Sequence, residues 1–272
     1  MSDRPLVFGI LNVTPDSFSD GGRYLDPEVA LEHALKLVEQ GADYIDVGGE
    51  STRPGADSVE PGVEQDRVLP VIAALADRGV AVSIDTMHAE TARAAIGAGA
   101  RVVNDVSGGL ADQAMADAVR GTGVRYVAMH WRGPSDRMTE LAHYGDVVLE
   151  VRAELAARVE ALLAAGVARE QLILDPGLGF AKTGEHNWQV LSRLDELTDL
   201  GFPLLVGASR KRFLATLPGL DQSTGPAARD LPTAVLSALL AASGVWAVRV
   251  HDVPSTVTAL AVLEAWQAGG RA

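Results

Sequence analysis

The chain has 272 residues, 47% of them hydrophobic, enough apolar material for a large core in one domain, since α/β barrels commonly run about 250 residues. A net charge of −13 excludes a general nucleic-acid or membrane-binding surface, because following phosphates takes a cationic excess, so any anion site must be local. Cysteine is absent, which excludes a disulfide scaffold, thiol catalysis and cysteine-ligated metal and fits a reducing compartment.

The first strand is predicted over 7–12. The apolar run there is only six residues before Asn12, too short for a signal segment or a membrane span, so cytoplasmic residence is the expectation. A helix follows over 27–40, then a strand over 44–50, a helix over 61–78, a strand over 80–84 and a helix over 89–98. Strands over 101–104 and 125–129 come next, then a helix over 145–165 and strands over 171–174, 203–207 and 246–250, with a last helix over 254–267. The strand runs are almost continuously apolar, as expected of parallel strands covered by helices. Pro27, Pro61 and Pro254 fall in first turns, where a missing N–H costs nothing. Gly41, Gly79, Gly99, Gly123, Gly166, Gly201 and Gly244 fall near helix ends just before the next strand. Segment 217–225 reads as a mobile surface insertion. Eight strands alternating with helices predict one (β/α)8 barrel, a TIM barrel spanning residues 1–272.

Asp85, Asn104, Asp175, Lys211, Arg249 and His251 each stand where an apolar run gives way to a polar segment. A barrel delivers such side chains to the C-terminal rim of its strands, so these distant residues should converge on one ligand. Two further polar loops follow the first two strands, 12–22 and 48–56. The second carries Arg53 among small residues, as a loop folding over an anionic substrate would. Asp85 and Asp175 could instead cap the helices after their strands, but four polar residues at one rim favour a ligand. His251 gains weight from Arg249, two positions back on the same strand and so pointing to the same side. Arg53 taken alone could be a solvated loop charge.

The segments GILNVTPDSFSDGG at 9–22 and DVGGESTRPG at 46–55 resemble the two signature segments of the dihydropteroate synthase family. The match continues in order through SIDT at 83–86, VNDVSGG at 103–109, DPGLGF at 175–180, GASRK at 207–211 and RVHD at 249–252. The resemblance implies condensation of 6-hydroxymethyl-7,8-dihydropterin diphosphate with 4-aminobenzoate to give 7,8-dihydropteroate and diphosphate, with the pterin deep in the barrel and diphosphate and Mg²⁺ near the rim. A pterin edge needs carboxylate or amide oxygens for its donors and N–H groups for its acceptors, and Asp85, Asn104, Asp175 and Lys211 supply that set. Met129 and Gly207 are expected to line the same pocket.

The resemblance further implies Asn12 as the Mg²⁺ ligand, and Asp20, Arg53, Lys211, Arg249 and His251 as the catalytic set. Asp16 and Asp20, with Phe18 and Pro54, are expected to help form the 4-aminobenzoate pocket, Thr52 is a further expected substrate-binding residue, and the family suggests a homodimer. One position departs from the family: Arg212 stands where Ser is common, so the carboxylate of 4-aminobenzoate would meet a guanidinium or a helix N-terminus. Two rivals remain at this level, a methyltetrahydrofolate-using methyltransferase on a similar barrel and a pterin-binding paralogue without activity.

Overall fold

The computed structural model describes residues 4–14, 27–50, 59–134, 137–138, 140–220 and 225–270. Asp16, Phe18 and Asp20 of the first loop, Thr52, Arg53 and Pro54 of the second, and 221–224 of the expected insertion lie outside the described residues.

Eight parallel strands form one sheet: β1 Leu6–Asn12, β2 Tyr44–Gly48, β3 Val82–Asp85, β4 Val102–Asp105, β5 Arg125–Met129, β6 Leu172–Asp175, β7 Leu205–Val206 and β8 Ala247–Val250. They pair in the order β6-β5-β4-β3-β2-β1-β8-β7, and a parallel bridge between Leu174 and Leu204 links β6 to the segment entering β7. The sheet therefore closes, and the expected barrel is the observed one. Helices α1 Pro27–Glu39, α2 Pro61–Ala76, α3 Ala89–Gly97, α4 Met115–Val119, α5 Val147–Ala164, α6 Gly184–Ser192, α7 Asp195–Thr198, α8 Asp230–Ala242 and α9 Val253–Gly269 lie between and after the strands.

Period-two alternation divides every strand into two faces with different partners. Val7, Leu11, Ile45, Val47, Ile84, Val103, Leu172 and Leu174 face outward into one continuous core with helix residues such as Leu37, Val68, Leu75 and Leu155. Phe8, Val102, Val127, Ile173, Leu205 and Ala247 face inward and form a separate, fully buried plug. Phe8 stacks on Tyr44 at 4.6 Å and meets Trp246 edge-on at 5.6 Å. Burying each large apolar side chain contributes about 1.5–3 kcal/mol, so the plug both stabilises the barrel and gives any ligand above it an apolar floor.

The glycine punctuation is a backbone requirement. All seven of those glycines have positive φ, from 74° to 107°, a region that L side chains adopt only at a cost. At Gly99 the space is closed as well, since a Cβ there would lie 2.6 Å from Cβ of Ala76. Several strand boundaries differ from expectation: β2 stops at Gly48 instead of 50, β4 runs to Asp105 instead of 104, and β7 keeps only Leu205–Val206 of 203–207. β3 and β6 run through Asp85 and Asp175, placing both carboxylates on the pleat itself. Gln171 sits in a short 3-10 turn instead of the strand, where its amide donates to Val119 O and Val124 O at 3.0 and 2.8 Å.

Candidate active site

Parity places the candidate residues together. Asn12, Gly48, Asp85 and Asn104 are register partners across β1 to β4, so they share one face and one height on the inner wall. Met129, Asp175, Gly207, Arg249 and His251 continue that inward parity around the barrel, each two residues beyond the plug residue of its strand or, for His251, four. Asp105 shows the contrast: it points outward, fully buried, and accepts bonds from Ser107 N and Oγ, Gly109 N and Tyr126 Oη at 2.7–2.8 Å. It fixes the loop after β4, while its neighbour Asn104 faces the site.

The centre of the site is a charge cluster around Arg249. Its Nε donates to Asp46 Oδ2 at 2.5 Å and its Nη2 to Asp85 Oδ2 at 2.6 Å, and Asn104 Nδ2 donates to the same Asp46 oxygen at 3.2 Å. Burial opposes the Arg249 charge, but Asp46 and Asp85 outweigh burial and hold its pKa above the ordinary value. Burial pushes the Asp85 carboxyl up to about 7 against the pull of Arg249, with Asp46 adding to the rise. Asp46 is fully buried and its Oδ1 has no hydrogen-bond partner, an expensive arrangement that persists at sites kept for a ligand. Asp85 caps no helix: the N-cap of α3 is His88, which makes no side-chain cap, and Ala89 N is held by Asp112 Oδ2 at 2.8 Å.

A second group stands across the barrel. Asp175 Oδ1 accepts from Gly177 N at 2.7 Å, shaping the turn after β6. Lys211 Nζ donates to Leu178 O of that turn and lies 4.8 Å from the centroid of the Phe180 ring, within cation–π range. Burial lowers Lys211 to about 8, with Asp175 opposing the shift and Arg249 adding to it. Burial likewise raises Asp175, against Lys211. At Gly207 a Cβ would sit 3.8 Å from Arg249 Cβ and 4.0 Å from Asp175 Oδ2, so the missing side chain leaves open space between the two charged groups.

The expected pairing of Arg249 with His251 takes a different form. Both side chains face inward, but Arg249 is held by carboxylates, while His251 Nδ1 lies 3.0 Å from Ser209 Oγ and His251 N donates to the same hydroxyl. Arg210, between Ser209 and Lys211, adopts φ 58°, a strained conformation for a side-chain-bearing residue. It is held there by two bonds to Asp230 and by Arg229 Nη1 on its carbonyl. That strain turns Ser209 and Lys211 toward the interior. Arg212 is exposed and opens a five-residue 3-10 turn, Arg212–Thr216. The helix expected to begin there is a 3-10 helix, with Lys211 at its N-cap, so both the guanidinium and a helix N-terminus stand at this point of the chain.

Asn12 ends β1 opposite Gly48, where a Cβ would fall 3.9 Å from Asn12 Oδ1 and 3.7 Å from Asp85 Oδ2. The absent side chain keeps space between two hard oxygen donors. Among the described residues no group of three or more His, Cys, Asp or Glu is arranged for a metal. A cation at Asn12 would thus draw most of its ligands from water and substrate phosphate, which suits Mg²⁺.

Sequence reading left Asp46, Ser209 and Phe180 without roles. The signal for Asp46 was its parity with Gly48 on β2, an acid on the inward side of an otherwise apolar strand.

The chain matches the family model described as "Pterin binding enzyme" over residues 8–251. It is 56% identical over 274 aligned positions to a dihydropteroate synthase of Mycobacterium leprae, covering 99% of this chain and 96% of that protein. Among solved structures it resembles the Xanthomonas albilineans dihydropteroate synthase with 4-aminobenzoic acid (46% identity, TM-score 0.88, 98% of this chain and 94% of that one). It also resembles the same organism's dihydropteroate synthase in complex with 7,8-dihydropteroate (42% identity, TM-score 0.85, 98% and 96%).

Proposed function

This chain belongs to the pterin-binding enzymes, among the dihydropteroate synthases, and from that premise we propose that it joins 6-hydroxymethyl-7,8-dihydropterin diphosphate to 4-aminobenzoate. The observation that carries the reading is the inner ring of Asp85, Asn104, Asp175 and Lys211 above an apolar floor, acceptors and donors matched to a flat heterocycle. In the reaction the bond from the exocyclic carbon to the diphosphate oxygen breaks and diphosphate leaves with the electron pair. The aniline nitrogen then bonds to that carbon and sheds a proton to solvent. No covalent enzyme nucleophile is required, and the chain's task is to orient the pterin and stabilise the departing charge. His251 and Arg249 are the groups we assign to the leaving group. Asn12 would hold Mg²⁺, which when bound supplies positive charge to the phosphate oxygens. A methyltransferase reading gives no use to Asn12, Arg249 and His251 together.

The test is a purified-protein assay for dihydropteroate and diphosphate formation with Mg²⁺, combined with calorimetry on Asn12→Ala. The variant is expected to stay folded, because Asn12 lies at a strand end facing the cavity, and to bind diphosphate with Mg²⁺ about tenfold more weakly, since a ligand oxygen has gone. An unchanged dissociation constant removes Asn12 from the metal site.

The homodimer belongs to the same proposal. Leu231, Val235 and Leu239 are 71%, 53% and 61% exposed at i, i+4 and i+8 of α8, and Val262 and Trp266 of α9, the helix packed beside it, are 65% and 82% exposed. Large apolar side chains aligned across two adjacent helices mark an interface, and a second copy of the chain is the occupant we assign. Light scattering is expected to give a dimer for the native chain and a monomer for Leu239→Glu combined with Trp266→Glu; a native monomer refutes the assignment. No described helix is long and apolar enough to cross a membrane, and we place the enzyme in the cytoplasm with its small-molecule substrates.

A further inference from the structure

Behind the turn after β6 lies a buried polar chain that the reaction as described does not use. Lys182 is 9% exposed. Its Nζ lies 2.9 Å from His130 Nδ1, 3.2 Å from Gly177 O and 3.3 Å from Phe180 O, so one amine has three acceptors in reach, while burial lowers Lys182 to about 7 against the pull of Asp175. His130 Nε2 lies 2.9 Å from Glu154 Oε2, and Arg132 grips Glu154 while also bonding Glu150 at 2.8 Å. Burial, then the Lys182 charge, lower His130 to about 4. The ring is therefore neutral near pH 7, with its Nε2–H given to Glu154 and its Nδ1 lone pair to Lys182.

The same turn is constrained from other sides. Gly177, Gly179 and Ala181 have φ of 67°, 77° and 45°, so a left-handed residue recurs at every second position, and Ala181 does so despite its side chain. The Arg132 guanidinium lies 3.8 Å over the Tyr144 ring, and Tyr144 Oη donates to Ala181 O at 2.9 Å, closing the chain of contacts back beside Lys182. Asn187 Oδ1 accepts from Gly179 N at 2.7 Å, and His130 N donates to Asp175 O at 2.9 Å. The carbonyls that Lys182 meets, Gly177 and Phe180, lie on either side of Leu178 and Gly179, and the Leu178 carbonyl takes Lys211 Nζ instead.

We propose that Lys182, braced by His130, Glu154 and Arg132, is a positioning residue: it clamps the 175–182 turn so that Asp175, Phe180 and Lys211 are set for the pterin. The proposal rests on the dihydropteroate synthase reading and deepens it at the pterin end of the same site. Lys182 itself touches no substrate. It acts on groups that bind one substrate and not the other, so its loss should separate the two Michaelis constants.

The experiment compares the native protein with Lys182→Met and Glu154→Gln in steady-state assays varying each substrate, alongside thermal melts. In Lys182→Met the KM for the dihydropterin diphosphate is expected to rise about tenfold, because three buried acceptors lose their donor and the turn relaxes. The KM for 4-aminobenzoate should stay within about twofold and Tm should fall only modestly, since most of the turn's other bonds remain. Glu154→Gln, at the half-exposed end of the chain, should shift the same constant in the same direction by less. Folded variants with both KM values native, or with kcat alone reduced, overturn the proposal. Should Lys182→Met fail to fold, Glu154→Gln decides on the same criterion. A native protein without turnover would instead refute the functional reading, and calorimetry with a pterin analogue on the three proteins would then decide the clamp by the same tenfold loss.

Discussion

Arg249→Met is expected to abolish turnover and to unfold at markedly lower denaturant than the native chain. Arg249 bridges Asp46 and Asp85, of which Asp46 is fully buried. Methionine fills the space of the side chain but leaves two carboxylates facing each other without a countercharge. Removing one partner of a buried ion pair costs about 3–5 kcal/mol, and here a single residue neutralises two acids. Part of the loss will be recovered by protonation, because Asp85, already raised to about 7, will then hold its proton at neutral pH. A protonated Asp85 offers the pterin edge one acceptor fewer, and the leaving group loses a cation. Together these should lower kcat/KM by about 10³-fold or more, on the scale of a lost transition-state donor. Arg249→Lys should recover stability better than activity, since an ammonium cannot span both carboxylates in the fork of a guanidinium. Urea denaturation and a diphosphate-release assay read the two effects, and an Arg249→Met protein as stable as the native one would mean that the carboxylate pair is not held by this residue.

The barrel was legible because its signals are local and repeated. Short apolar runs, from the second onward each preceded by a glycine near a helix end and most followed by a polar residue, give strand order and inward parity directly from the chain. Most helices predicted from apolar spacing agree with the structure to within one to three residues at each end. The helices that sequence reading passed over are α4 and α7, too short to show a period, α6, and α8, whose DLPTAVLSALLAA sequence is apolar on nearly all sides and shows no stripe.

The site was legible wherever a functional side chain sits at a strand end, as with Asn12, Asp85, Asn104, Asp175 and Arg249. What escaped was set by tertiary contact. Asp46 lies one layer deeper than its neighbours, so its strand marks it as an inward-facing acid, but its partner Arg249, 203 positions away, is found only in the fold. The partnership of Ser209 with His251 depends on a strained Arg210 that the Asp230 and Arg229 contacts hold in place. Lys182 looks like a loop charge in sequence, and its burial follows from His130, itself bonded to Glu154, meeting it from another element.

Asp175→Asn is expected to move the alkaline limb of the pH–activity profile, and Asp175→Ala to weaken pterin binding about 100-fold. Asp175 is 5% exposed and lies within the electrostatic reach of Lys211, Arg249 and Lys182. Its charge is the strongest influence opposing the burial that lowers Lys211 to about 8. Asparagine keeps the oxygen that accepts from Gly177 N, so the turn should hold its shape while the charge disappears. Lys211, deprived of that charge, must titrate below about 8. The charged form is the better donor to a pterin acceptor, so activity should be lost as pH rises through the Lys211 pKa, and at lower pH in the variant than in the native enzyme. The acid limb, where Asp85 takes up its proton below about 7, should stay nearly in place, because Asp175 is not among the main influences on Asp85. The working window therefore narrows from its alkaline side and its maximum falls. Alanine removes both the charge and the Gly177 contact, and losing a charged buried acceptor together with the turn it shapes should cost about 3 kcal/mol in pterin affinity. Calorimetry with a pterin analogue and kcat/KM measured from pH 6 to 9 check the pair. An Asp175→Asn profile superimposable on the native one would show that Lys211 is not the group whose charge the pterin requires.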